Sequence, residues 1–282
     1  MSDTDLLEAP LTTISPQQPA TPVAAISQLG ALEQAFGLFQ SGQAEAAHPL
    51  AEQAVKDSPA RADAWTLLGI LDKKAGRLDA AETAYRRALA LQPNYGDAWN
   101  NLGNLLKEQG RQGESLAAYQ RAVALAPASA EPMHNLAVAL EHFGDWGLAL
   151  AAFSRTLELD PNHLDGRWNR ALALLLHGRY EQGFDAYEVR FERRQPEPRV
   201  CAEPLWDGGD PTGKTILVWA EQGFGDALQF IRYVPELARR GARVVLEVLE
   251  PMMALAATVP GVAVVTPRGG TLVADAGPID CH

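Results

Sequence analysis

The sequence is poor in cysteine: Cys201 and Cys281 are the only two. That is too few for a disulfide framework or a zinc site, and it fits a reducing compartment. Cys281-His282 at the end of the chain supplies half of a metal site at best, so the expectation is no metal and no cofactor. Basic charge is also scarce. The formal net charge is −11 and no segment carries a basic excess, which argues against nucleic acid or anionic lipid as the main partner. No apolar run reaches the length of a membrane span, and the start of the chain lacks the basic and apolar regions of a signal peptide. These absences place the expected location in the cytoplasm. Residues 1–27, rich in Pro, Thr and Ser, read as a disordered tail. What is present is apolar: 47% of the 282 residues are hydrophobic, enough for a substantial core in one large domain or two smaller ones.

Two ladders of one period organise residues 28–195. Pro59, Pro93, Pro127 and Pro161 stand 34 residues apart, and so do Gly42, Gly76, Gly110, Gly144 and Gly178. Each copy reads as two helices. Trp65, Leu68, Gly69 and Leu71 share one face of the first; Ala81, Tyr85, Ala88 and Leu89 share one face of the second. The ladder glycine separates the helices, because it accepts the positive φ of a helix C-cap. The ladder proline ends the second helix. Small residues recur where helices must approach closely, as Ala35, Gly69, Gly103, Ala137 and Ala171 and as Ala47, Ala81, Ser115, Ala149 and Gly183.

This pattern resembles the tetratricopeptide repeat in five copies, and predicts a mainly α fold: an α-solenoid. The fifth copy departs from it, with Arg167 in the Trp row and Arg190 in a small-residue row. On the first helices runs an acidic row, Asp63, Asp97, Glu131 and Asp165, beside an amide row, Asn101, Asn135 and Asn169. An Asn side chain can accept from a peptide N–H and donate to a peptide C=O. The amide row is similar to that of the tetratricopeptide arm of protein O-GlcNAc transferases, which implies a protein or peptide partner held in an extended form. The other reading is local: Asn for hydrogen bonding within the stack, and Asp for the helix N-terminus. Asn100, His134 and Trp168 form a neighbouring row.

Residues 196–213 read as a Pro-rich linker and 214–282 as a second module. Gly208 to Thr215 fits the phosphate-loop pattern at every fixed position, but in the wrong context. A phosphate loop follows a strand and opens a helix; here "TILVWA" follows it and reads as a buried strand. "GFGD" at 223–226 does follow a strand and precede an amphipathic helix. The later alternation of strand and helix predicts a partial α/β, Rossmann-like parallel sheet. Glu221, Gln222, Gly223, Gly225 and Asp226 then fall at the carboxyl end of the first strand, where such sheets bind ligands. Asp226 is placed to N-cap the helix, and Glu221 to pair with Arg232.

"GRYEQGFDAYEVRFERR", "LWDGG" and "KTILVWAEQGFGDALQFIRYVPEL" resemble bacterial tetratricopeptide proteins joined to a GT-B glycosyltransferase module of the heptosyltransferase type. The resemblance implies that Asp226 acts as a general base toward an acceptor hydroxyl. It implies an acceptor-side loop at Glu221, Gln222, Gly223 and Gly225. The nucleotide-sugar half of such a module does not follow in this chain. Sugar transfer is therefore expected only when that half is supplied, and the chain by itself is read as an interaction scaffold rather than an enzyme.

Overall fold

The computed structural model describes residues 30–193, 203–221, 223–269 and 276–282. The chain divides into two units, Met1–Val189 and Arg190–His282. The tail expected at 1–27, Cys201, Gln222 and the first part of the expected linker lie outside the described residues.

Among the described residues of the first unit, ten α-helices succeed one another in pairs: α1 (Ala31–Gln40) with α2 (Ala44–Asp57), α3 (Ala62–Lys74) with α4 (Leu78–Leu91), α5 (Gly96–Glu108) with α6 (Gln112–Leu125), α7 (Ala130–His142) with α8 (Trp146–Leu159), and α9 (Leu164–Leu176) with α10 (Tyr180–Tyr187). Each ladder glycine sits at φ between 71° and 79°. The residue after it donates its N–H to a carbonyl five residues back, as Arg77 to Asp72 and Arg111 to Leu106 at 2.9 and 2.8 Å. This is the Schellman closure, which satisfies carbonyls the helix end would otherwise orphan.

The ladder prolines open the reverse turns to the next pair, and two tryptophans fasten those turns. Trp65 Nε1 donates to the Pro59 carbonyl at 3.0 Å, and Trp99 Nε1 to that of Pro93 at 2.9 Å. The small rows lie inside. A Cβ built on Gly69 or Gly103 would stand 2.6 Å from the ring of Tyr85 or Tyr119, both fully buried. The equivalent contact in the fourth pair is Ala137 with Phe153, and in the first Ala35 with Ala51, all buried. Ser115 fits the small row because its hydroxyl donates to the Gly103 carbonyl at 2.9 Å.

The second unit holds a three-stranded parallel sheet in the order β1 (Thr215–Trp219), β2 (Arg243–Val248), β3 (Val262–Pro267). Between β1 and β2 run α11 (Phe224–Phe230) and α12 (Val234–Arg239); between β2 and β3 runs the single turn α13 (Met253–Ala256). Ile216, Val244, Leu246 and Val248 pack on one face with Val234, Met252, Ala256 and Cys281. Leu217 and Val245 pack on the other with Ala276 and Ile279. Apolar side chains on both faces explain why these strands read as mostly hydrophobic runs rather than alternating ones. The last residues lie along the free side of β1: Ile216 bridges Cys281 in parallel, Asp280 N donates to Thr215 O at 2.9 Å, and Leu217 N to Cys281 O at 3.0 Å.

Candidate functional site

The acidic row sits in the first turn of α3, α5, α7 and α9, where the helix dipole favours a carboxylate. Its members have different surroundings. Asp63 accepts from Arg61 at 2.6 Å; burial pushes its carboxyl up, but the bonds and charge of Arg61 outweigh that and leave it below its ordinary value. Asp97 is pushed up by burial alone. Glu131 accepts from His163 Nε2 at 3.2 Å. The tautomer is fixed, because His163 Nδ1 accepts from the backbone N–H of Gly166 at 2.9 Å and caps α9.

The amide row interlocks with its neighbouring row one repeat back. Asn135 Nδ2 donates to Asn100 Oδ1 at 3.0 Å, and Asn169 Nδ2 lies 2.9 Å from His134 Nε2. Donor and acceptor stand 35 residues apart in both cases, so the period is 34 but the lock is offset by one. The lock is buried: Asn135 is 2% exposed and His134 4%. Burial, helped by the nearby His163, holds the His134 imidazole down at about 4. By the same offset the position matching Asn100 and His134 for Asn101 is Thr66, whose hydroxyl donates to the Ala62 carbonyl at 2.9 Å. Asn101 is 6% exposed and its Nδ2 has no hydrogen-bond partner. Trp168 of the neighbouring row rests on Tyr187, ring centroids 5.2 Å apart.

In the second unit, Gly223 is the N-cap residue of α11 and Asp226 stands in its first turn, exposed. The expected N-cap role for Asp226 is therefore taken by Gly223. The extended backbone at Gly223 starts the helix early, leaving Asp226 to favour the helix through the N-terminal partial charge. Glu221 pairs with Arg190, not Arg232, through a 2.7 Å bond between part-buried side chains. Gly225 lies inside α11. Lys214 donates its backbone N–H to the Pro211 carbonyl at 3.1 Å and leads straight into β1, so the phosphate-loop pattern opens no helix.

Periodic Schellman turns, buried small-to-aromatic contacts and five helix pairs agree with a family profile. That of the tetratricopeptide repeat matches residues 32–71, 66–130 and 134–194, more than half of the chain. The chain belongs to the tetratricopeptide repeat family. Among solved structures, that of Pseudomonas aeruginosa PilF is 24% identical with a TM-score of 0.54, over 57% of this chain and 74% of that one. MamA from Desulfovibrio magneticus RS-1 is 20% identical with a TM-score of 0.50, over 57% and 93%. At these identities the likeness is one of fold. Protein FlbA of Caulobacter vibrioides is 36% identical over 66 residues, 23% of this chain. The chain covers about a tenth of the length of that relative, 11%.

Two features of the tetratricopeptide stack and its neighbour unit escape a reading of the sequence. The 35-residue offset of the amide lock needs the stacking angle of successive repeats, which no single repeat encodes. In the second unit Glu247 is 1% exposed within β2, and its cross-strand neighbour Thr266 is buried with an unpartnered Oγ1. A lone acid inside "RVVLEV" was the available signal. Among the described residues no group of metal-ligating side chains gathers, and no helix is long and apolar enough to cross a membrane.

Proposed function

We propose that this chain is a protein-interaction scaffold that holds an extended peptide segment along the face built by α3, α5, α7 and α9, the concave side of such a stack. The observation that carries this reading is the unpartnered amide of Asn101. Asn135 and Asn169 spend their donors on the preceding repeat, whereas Asn101 Nδ2 is left with none. A buried donor without a partner costs about 1–3 kcal/mol; because Nδ2 is shielded from solvent in the unbound chain, the reading requires that binding turn the amide outward to meet a peptide carbonyl. Asp97, pushed up by burial with no ion pair of its own among the described residues, stands one helical turn away and suits a peptide N–H. In this reading Asn101 and Asp97 bind, while Asn135, Asn169, Asp63, Glu131 and Asp165 set the face. Selection of peptides from a random display library on the purified chain tests it. Enriched peptides bind wild type and lose at least about tenfold in affinity on Asn101→Leu; equal binding by both proteins refutes it.

A second reading concerns the second unit. The C-terminal segment lies beside β1 on the side away from β2 through a single parallel bridge, the side on which a doubly wound sheet would add its next strand. Ligands in such sheets bind where the order reverses, at the carboxyl ends of the strands. Gly223 to Asp226 follow the carboxyl end of β1. This supports reading 214–282 as the first half of a GT-B glycosyltransferase module, with Asp226 as base and Glu221, Gln222, Gly223 and Gly225 on the acceptor side. A nucleotide sugar then binds only when the second half is supplied. Calorimetry of this chain with UDP-, GDP- and ADP-sugars accordingly gives no saturable heat, and a saturable response to any of them overturns this reading.

A further inference from the structure

The period of 34 residues makes each repeat a control for the others. Along the edge formed by the turns within each helix pair, the second and third repeats are closed by ion pairs. His48 Nε2 and Arg77 Nε both meet Asp72 Oδ1 at 2.8 Å, and Arg111 joins Glu82 at 2.8 Å to Glu114 at 2.6 Å. In the fourth and fifth repeats the same positions change character. Gln109 gives way to Phe143, Gln112 to Trp146 and then Tyr180, Glu108 to Leu176 in the fifth repeat, and Glu82 to Phe184. All five are exposed, Tyr180 by 62% and Phe184 by 55%. None is required by the repeat, since the second and third copies fold without them.

The aromatic side chains lie at equivalent places on the same edge of two successive repeats. The Trp146 ring lies 5.2 Å from that of His177 in the next turn, and Tyr180 stacks on Phe184 at 6.4 Å. An exposed patch of this kind marks an interaction surface, and Trp and Tyr are the usual anchors of one. Its border is acidic. Asp145, Glu181 and Asp185 are exposed and none makes an ion pair among the described residues, unlike Glu82 and Glu114. Arg179 is the basic side chain among them. A second copy would bring these acids together in a chain of net charge −11, and anionic lipid headgroups would meet the same repulsion.

We propose that this edge of the fourth and fifth repeats docks a cationic amphipathic segment of another protein. The segment seats apolar side chains on Trp146, Tyr180 and Phe184, and places Lys or Arg against Asp145, Glu181 and Asp185. This site is separate from the helix face assigned above and stands without it.

Fluorescence anisotropy of the whole chain with a labelled helical peptide of about 18 Leu and Lys residues in a three–four pattern tests the assignment. A peptide with Glu in place of Lys is the control. The Lys peptide binds and the Glu peptide does not. The pair Trp146→Ser and Tyr180→Ser, with helical content checked by circular dichroism, weakens binding roughly tenfold or more. The charge reversals Asp145→Lys, Glu181→Lys and Asp185→Lys together move the preference to the Glu peptide, a change that loss of structure would not produce. Asn101→Leu leaves binding intact. Equal affinity after the serine pair overturns the proposal, as does a dimer in sedimentation that the serine pair abolishes, since the occupant would then be a second copy.

Discussion

Replacing Asn101 by Leu should stabilise the protein, while replacing Asn135 by Leu should destabilise it. The two residues occupy one row, one period apart, and both are buried. They differ in what their amides meet. Asn135 Nδ2 reaches Asn100 Oδ1 at 3.0 Å, and removing it withdraws a donor from a buried acceptor. Asn101 Nδ2 meets nothing, so removing it relieves a standing penalty of about 1–3 kcal/mol. Leucine is the natural choice because Leu67 holds the same row in the second repeat, fully buried. Allowing for imperfect fit, a gain of about 1 kcal/mol is expected for Asn101→Leu and a loss of about 1–3 kcal/mol for Asn135→Leu. For a unit of this size each kcal/mol moves the midpoint by about 2–4 °C. Thermal and urea unfolding, followed by circular dichroism, read the two signs directly. Equal destabilisation by both variants refutes the reasoning, because Asn101 would then have a partner in solution and its amide would not be waiting for a peptide.

Acid should weaken wild type more than His134→Asn, a substitution that copies Asn100 one repeat earlier. Burial holds the His134 imidazole at about 4, below its ordinary 6.5, so the unfolded chain takes up the proton first. The stability from this group is full above pH 6.5 and is lost as the pH falls toward 4, by about 3 kcal/mol at most. Urea midpoints at pH 7 and pH 4.5 that differ by the same amount for both proteins would contradict this; His163, raised by the bond to Glu131, titrates with the opposite sign and is present in each. Gly103→Ala should cost about 1–3 kcal/mol, because its methyl group would meet the buried Tyr119 ring at 2.6 Å. Adding Tyr119→Phe should recover part of that loss, because it frees the ring from the 2.7 Å bond of its hydroxyl to Asn104 Oδ1 and lets it shift away; a double variant no more stable than Gly103→Ala alone would show the ring cannot yield.

Much of the fold is legible in the sequence because it is written in local chemistry that repeats. A glycine that must take positive φ, a proline that must end a helix and a small residue under an aromatic ring each constrain a few neighbouring residues, and the period multiplies the signal. The strands of the second unit are legible for a related reason: both faces of β1 and β2 are covered, so their sequences are apolar at almost every position, Glu247 excepted. The site was less legible because its chemistry depends on pairs far apart in the chain. Asn101, Asn135 and Asn169 look equivalent in a row, yet whether an amide is free depends on what the preceding repeat presents one residue out of phase: Thr66, Asn100 or His134. Glu221 has Arg232 nearby in sequence and Arg190 in space. Asp226 is not the cap because the helix begins two residues before it, at Phe224, with Gly223 as its N-cap.

The same offset suggests why the repeats are not interchangeable. A tetratricopeptide pair needs only a few positions for its own packing: the turn glycine, the small row and the aromatic it receives. Many of the remaining surface positions are free to vary between copies, and here they diverge along the stack in opposite directions. On the first-helix face, the fourth and fifth repeats consume their polar groups among themselves, through Glu131 with His163 and His134 with Asn169, while the third leaves Asn101 unpaired. On the turn edge the second and third repeats consume theirs, through Asp72, Glu82 and Glu114, while the fourth and fifth leave acids and aromatic rings open. The third repeat is thus open on the helix face and closed on the turn edge, and the fourth and fifth are the reverse. Two partners could occupy such a stack at once, one along the helix face of the middle repeats and one across the turn edge of the last two, without sharing a residue.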